Sequence, residues 1–199
     1  MLHDGYSDLP VGKIASIVTF LEMREPPALA PVSPPKDNDM KICRVARPDL
    51  DWYRQLYRRV GEEWLWFSRL LLNDDDLRAV LWNERLEVFA LSVSAEDKGL
   101  LELDRRVPGE VEIAYFGVSS DLIGKGAGRF LLHQALEQAW SQNPERVWLH
   151  TCNLDHPRAL EFYQKAGFAA YKFAIEVSDD PRLTGLLPMS AAPQLPIIR

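Results

Sequence analysis

The sequence predicts a single α/β domain with a mixed β-sheet and helices packed against it. Three observations carry that expectation. First, VEIAYFGV at 111–118 is an extended apolar run that enters a turn containing Gly124, Gly126 and Gly128. The next segment, RFLLHQALEQAW, places Phe130, Leu131, Ala135, Leu136 and Ala139 on one helical face. Second, RVWLHT at 146–151 reads as a short strand, followed by a helix around LEFYQK and a strand rich in Phe and Tyr. Third, 199 residues with 47% hydrophobic and 26% charged content suit one compact core.

The remaining elements follow in chain order. Residues 13–23 (KIASIVTFLEM) read as an extended strand. In residues 24–38, Pro26, Pro27, Pro31, Pro34 and Pro35 exclude a helix or central strand and leave a linker or wrapped arm. The strand is expected to pair with the sheet edge of its own subunit or of a neighbour, and the second choice makes a homodimer. Residues 1–39 thus form an N-terminal strand and proline-rich arm, 40–178 the domain proper, and 179–199 a tail with four prolines and no periodicity. Ile42 to Ala46 begins the main sheet. LDWYRQLYRRVGEEWLWFSRLLL and DDDLRAVLWN read as helices, the second with an acidic first turn that suits the helix dipole. Glu87 to Val93 and Leu100 to Val107 read as strands joined by EDKG.

Charge and cysteine usage narrow the function classes. A net charge of −6 and a pI near 5.3 argue against general nucleic-acid binding and admit a cationic ligand. Cys43 and Cys152 make no disulfide framework, and no secretion signal or membrane-length apolar run is visible, so a cytoplasmic protein with no membrane partner is expected. His3, His133 and His150 lack metal-ligand spacing with cysteine or carboxylate, so no metal is assigned. Cys152, at a strand end, reads as a small buried hydrophobe rather than a nucleophile.

The glycine turn carries chemistry. Glycines allow positive φ and close backbone approach, and the unpaired N–H groups of a helix's first turn attract anionic oxygens. A diphosphate fits such a turn; so does a plain strand-to-helix connection holding nothing. Two rival nucleotide motifs fail. A P-loop needs a glycine where Ser119 stands and a Ser or Thr after Lys125. A dinucleotide fold needs a third glycine where Arg129 stands, and Glu145 precedes its strand instead of closing it.

Downstream, Pro157 stands where a helix takes its first residue, with His156 or Asp155 as cap, and Gly167 ends that helix. Tyr163 within it fits either a core tyrosine anchored by its hydroxyl or a functional phenol. Asn153, at the strand end, suits a turn.

VEIAYFGVSSDLIGKGAGRFLL followed by DHPRALEFYQKAGF resembles the cofactor-binding core of the GCN5-related N-acetyltransferases, which move an acetyl group from acetyl-CoA to an amine. The resemblance spans 111–173 and implies a mixed, mostly antiparallel sheet whose central strands splay to form the CoA cleft. It assigns the diphosphate loop to Ile123, Gly124, Lys125, Gly126, Ala127 and Gly128, with Ile123 where the family has Arg or Gln. It makes Tyr163 the acid that protonates the departing thiolate. His156, where the family has Asn, and Asn153 become contacts for the pantetheine arm.

Amine acetylation needs a base, an oxyanion donor and a thiolate acid. A backbone N–H near Phe116, Gly117 and Val118 supplies the donor, freed by a bulge at Gly117. Glu112 shares a strand face with Ala114, Phe116 and Val118 if alternation is regular, and resembles the strand glutamate that some family members use as base. The helices after the first strand roof the acceptor pocket in this family. Trp64 and Trp66 are expected to face an apolar or aromatic acceptor, and Glu62 and Glu63 to attract its ammonium. The expected activity is acetyl-CoA-dependent N-acetylation of a small-molecule primary amine by direct transfer. A protein amine as acceptor, a larger acyl donor, and a non-catalytic acyl-CoA-binding module are the alternatives.

Overall fold

The structure, a computed structural model, describes residues 4–28, 32 and 39–199. Of the five arm prolines, Pro26 and Pro27 are within it, while Pro31, Pro34 and Pro35 lie outside the described residues. Seven strands form one sheet: β1 (Lys13–Met23), β2 (Met40–Arg44), β3 (Leu86–Val93), β4 (Glu96–Asp104), β5 (Glu110–Val118), β6 (Arg146–Cys152) and β7 (Ala169–Asp179). Their order across the sheet is β2-β3-β4-β5-β6-β1-β7. Every pairing is antiparallel except β5 with β6. The helices are α1 (Leu50–Gly61), α2 (Asp74–Leu81), α3 (Ala127–Trp140) and α4 (Ala159–Lys165).

Two apolar layers bury the sheet's faces. One joins α3 and α4 to Leu21, Leu103, Ile113, Val147 and Leu149; all five residues of the predicted α3 face are buried in it. The other joins α1 and α2 to Val88, Ala90 and Leu100, and the C-terminal tail completes it with Leu187, Ala191 and Ala192. The tail, read from sequence as unpatterned, is anchored by a buried pair: Arg182 Nη2 donates to Asp180 Oδ2 at 2.7 Å, and Arg182 Nη1 donates to the carbonyl of Leu195 at 3.0 Å.

Local chemistry explains most boundaries. Asp49 caps α1 by accepting the Trp52 N–H at 2.9 Å, and Asn73 caps α2 by accepting that of Asp76 at 2.9 Å. The predicted helix over LDWYRQLYRRVGEEWLWFSRLLL ends early, at Gly61; two 3₁₀ turns follow, separated by Leu65 at φ 54°. A Cβ on Gly61 would lie 2.4 Å from the Trp66 ring, so this glycine makes room for the chain to fold back. EDKG is not the β3–β4 loop. Ser94 and Ala95, both at positive φ, make a two-residue hairpin, and EDKG opens β4. No glycine or asparagine marks that turn, so the sequence conceals it.

The largest correction concerns β1. It was expected at a sheet edge and instead lies between β6 and β7, with both of its own edges paired along most of its length. The main sheet thus begins in space with β2 and ends with β7.

Candidate active site

β5 and β6 pair only over Glu110–Arg146, Val111–Val147 and Glu112–Trp148. Beyond Glu112 they part. The register of β5 against β4 shifts between Ile113 and Tyr115, which makes Ala114 a bulge. A bulge adds local twist and turns the strand away from its neighbour. The gap opens into a cleft of about 780 Å³ lined from both sides of the sheet.

That bulge overturns two expectations. Alternation along β5 is not regular, so Glu112 falls on the same face as Tyr115 while Phe116 turns to the α3 side. Glu112 does not line the cleft; it lines a smaller recess with Asp104, Arg106 and Trp148. The bulge is also three residues from Gly117. Gly117 is small for another reason: a Cβ there would stand 2.6 Å from Val60 Cγ1 and 3.2 Å from the Trp66 ring. Phe116, Gly117 and Val118 all line the cleft. Ser119 N–H donates to the Lys98 carbonyl on β4 at 2.7 Å, so by strand alternation the N–H groups of Val118 and Phe116 point into the gap vacated by β6.

At one end of the cleft is the glycine turn. Gly124 and Gly126 sit at φ 81° and 83°, conformations that suit glycine. The Lys125 N–H is used by the Leu122 carbonyl at 3.2 Å, and the first amide closed by α3 is Phe130, on Gly126 at 3.1 Å. Among the described residues, the amides of Gly124, Gly126, Ala127, Gly128 and Arg129 have no backbone acceptor. Ile123, Gly124, Gly126 and Gly128 line the cleft, with Arg129 and Arg158 beside them. Lys125 points elsewhere and the Ala127 methyl is buried in the core, so of those two residues only the Ala127 amide is available. This cradle of free donors with two guanidiniums fits a pyrophosphate.

Tyr163 crosses the gap from α4. Its ring packs edge-on against Phe116 at 5.9 Å and Phe168 at 6.2 Å. Its hydroxyl has no hydrogen-bond partner among the described side chains, and the residue lines the cleft. Burial, then the charge of Asp155, push its pKa well above the ordinary phenol value, so it stands there protonated. The helix that carries it begins at Ala159, two residues later than Pro157 suggested, and Asp155, one of the two expected caps, makes no bond to it. Asp155 turns back to accept the Thr151 hydroxyl at 2.7 Å and the Cys152 N–H at 2.9 Å. His156 lines the cleft, and its Nδ1 accepts the Arg158 N–H at 3.1 Å, so it closes the turn before α4. Asn153 is not in the cleft. Its Oδ1 accepts the Ile17 N–H at 2.6 Å and its N–H donates back to the Ile17 carbonyl, which fastens β1 to the end of β6.

The other end of the cleft is aromatic and acidic. Trp64, Trp66, Phe67, Tyr57 and Tyr115 line it, with Asp155 and Glu176 among them. Trp66 stacks near Tyr57 and Tyr115, at 5.5 and 5.2 Å, and its indole N–H reaches Asp155 at 3.5 Å; Trp64 stands edge-on to His156 at 5.4 Å. Beneath them Glu102, fully buried, receives Arg69 Nη2 at 2.8 Å and the Tyr53 hydroxyl, and the Arg69 guanidinium lies 4.9 Å over the Tyr115 ring. Tyr115 in turn shares a hydrogen bond with Ser68. Among the described residues the buried Tyr57 hydroxyl has no hydrogen-bond partner. Neither Glu62 nor Glu63 lines the cleft.

His150, dismissed as a metal ligand on spacing, does line it. The Glu112 carboxylate behind it, 3.7 Å from Nδ1, raises the imidazole pKa above its ordinary value, and Asp155 and Glu176 add to the effect. Cys152 also lines the cleft, but burial and Asp155 push its thiol up to about 11, so it is not a ready thiolate. Among the described residues no cluster of three or more His, Cys, Asp or Glu side chains is placed to hold a metal, and no helix is long and apolar enough to cross a membrane.

Known proteins place this geometry. The family model described as acetyltransferase (GNAT) family matches residues 49–168. A GCN5-related N-acetyltransferase from Sphaerobacter thermophilus superposes with a TM-score of 0.60 at 18% identity, covering 83% of this chain and 52% of that one. A protein of unknown function from Staphylococcus epidermidis superposes at 0.55 and 15% identity, covering 85% and 64%. An aminoglycoside acetyltransferase from an uncultured soil metagenomic sample superposes at 0.53 and 23% identity, covering 64% and 87%. This chain therefore spans about half the length of the Sphaerobacter structure and under two thirds of the Staphylococcus one. No curated protein matches the sequence. At these identities the superpositions speak for the fold, and the family match extends over more than half of the chain. With the splayed β5–β6 pair, the free amides before α3 and the phenol of α4 in one cleft, the chain belongs to the acetyltransferase (GNAT) family.

Proposed function

We propose that this protein transfers an acetyl group from acetyl-CoA directly to the primary amine of a small cationic molecule with an apolar or aromatic body. The observation that carries the reading is the meeting, in one cleft, of the amides of Gly124 and of residues 126–129, without acceptors among the described residues, with the Tyr163 hydroxyl. The amides, with Arg129 and Arg158, would hold the diphosphate of the donor. The Val118 or Phe116 N–H would take the developing oxyanion, a donor already aimed and stripped of its ladder partner. Tyr163, kept protonated, would donate to the departing thiolate.

The base is reassigned within this reading. Glu112 stands outside the cleft wall, so His150 would accept the ammonium proton while Glu112 stabilises the imidazolium. Asp155 and Glu176 would attract the cationic acceptor, and Trp64 and Trp66 would cover its body. Such aromatic walls also attract a cation through their ring faces. Cytoplasmic residence remains part of the proposal, as does the absence of a nucleic-acid or membrane partner.

The test is to incubate the purified chain with acetyl-CoA and a panel of amines while following free-thiol release, with calorimetry for CoA alone. Amine-dependent thiol release from aromatic or aliphatic monoamines and diamines is the expected result. CoA binding with no release on any amine or peptide amine would favour a non-catalytic acyl-CoA module. No heat with any form of CoA would remove the donor assignment.

A further inference from the structure

The outer strand β7 is built unlike a protected edge. It closes one side of the sheet, pairing among the described residues only with β1, and its eleven residues contain no proline or glycine. Its register against β1 shifts only near Phe20 and Leu21, so the run from Lys172 to Asp179 is regular. Edges of this kind leave a row of unpaired N–H and C=O groups, and proteins ordinarily blunt them with prolines, bulges or inward charges. Here the side chains invite pairing instead. Phe173 is 72% exposed, Val177 52% and Ile175 48%, and Ile17 beside them on β1 is 57% exposed. The register sets Ile17 against Ile175 and Thr19 against Phe173, so Ile17, Phe173, Ile175 and Val177 form one apolar strip on the α3–α4 face of the sheet.

The charges of β7 select a partner. Within the regular run between Lys172 and Ser178 only Lys172 and Glu176 are charged, and Ala174 lies midway between them. We propose that β7 pairs antiparallel with β7 of a second copy of this chain about a twofold axis at Ala174, continuing the sheet across the dimer. That register sets Lys172 opposite the partner subunit's Glu176, and Glu176 opposite the partner subunit's Lys172. Phe173 then faces the partner subunit's Ile175, and Ile175 the partner subunit's Phe173. Charged pairs lie on the cleft face and apolar pairs on the other, because neighbouring strand residues alternate. Centring the axis on Phe173 or Ile175 instead leaves both charges opposite Ala or Ser, so the sequence distinguishes the register. Since Glu176 also lines the cleft, the joint runs along its acceptor end. The dimer expected through β1 is thereby moved to the strand that has a free edge.

Light scattering and sedimentation equilibrium on the full chain, 22.7 kDa per copy, test this directly. The expected mass at micromolar concentration is that of two copies. Phe173→Asp should give monomers with unchanged circular dichroism and melting, because that ring is already exposed in the single chain. Lys172→Glu and Glu176→Lys should each weaken the dimer about tenfold by opposing like charges, and the double exchange should restore it. A chain that is monomeric from micromolar to millimolar concentration overturns the proposal. So does a dimer indifferent to Phe173→Asp, or a double exchange that fails to rescue the single ones.

Discussion

His150 Nδ1 and Glu112 Oε1 stand 3.7 Å apart at the line where β5 and β6 separate, with the imidazole on the cleft wall and the carboxylate in the recess behind it. The Phe20 ring, 5.6 Å away, covers another side of the imidazole, and Asp155 and Glu176 are the other charges it feels. Glu112 is the last β5 residue in register with β6, opposite Trp148, and the Ala114 bulge follows it by two residues.

The pH–rate profile reports on this pair. The proposed base role of His150 needs the neutral ring, and Glu112 raises its pKa, so the acidic limb of kcat/KM should lie above the ordinary imidazole range. Glu112→Gln should move that limb to lower pH, while His150→Gln should cost about 10²-fold in kcat/KM. A profile whose limb stays in place in Glu112→Gln contradicts the pairing. By linkage, the same interaction stabilises the fold at pH below the free imidazole pKa, and that contribution fades as pH rises through the raised value.

Tyr163→Phe tests the proposed thiolate acid. It keeps the ring contacts with Phe116 and Phe168 and removes only a hydroxyl that has no partner among the described residues. Turnover should fall by about 10²-fold, with CoA affinity in calorimetry changed less than about twofold. Equal turnover in the variant would return Tyr163 to the core as a packing residue.

Gly117→Val tests close packing on the cleft floor. Even its Cβ would stand 2.6 Å from Val60 Cγ1, and the Trp66 ring cannot retreat because it already rests on Gly61. The substitution should destabilise the fold by about 1–3 kcal/mol, read from urea unfolding. An unchanged midpoint would mean that α1 and Trp66 shift freely.

Asp180→Ala should unfold the tail. Its carboxylate and the Arg182 guanidinium are both buried, and removing one leaves the other charge unpaired, a loss of about 3–5 kcal/mol. The Arg182 hydrogen bonds hold the Asp180 carboxyl below its usual range. The stability it adds is therefore present above the unfolded carboxylate pKa and is lost as pH falls through the depressed value. Proteolysis of the last fifteen or so residues, measured against the parent chain, checks the claim.

The glycine turn at one end of the cleft was legible along the chain because its parts are contiguous. Gly124, Gly126 and Gly128 follow a strand and open a helix, and that local order alone sets free amides at one point in space. Tyr163 was singled out through its motif, and it lines the same cleft. At the aromatic end of the cleft, Trp64 and Trp66 were expected and do line it, but the strand residues there were not expected. His150, Glu176, Ser16 and Tyr115 reach it from four strands that are far apart in sequence. Asn153 looked like a ligand contact and serves as a clip for β1.

What the chain determined by itself is the local structure: which runs form strands, where glycine permits positive φ, and which helix faces are apolar. These follow from steric limits and periodicity within a few residues. Tertiary structure alone decided that β1 inserts between β6 and β7, that Ala114 bulges, and that Glu112 lies behind His150 instead of in the cleft. Strand order and register depend on which distant edges find complementary partners and which faces can be buried together. No short stretch of sequence carries that information.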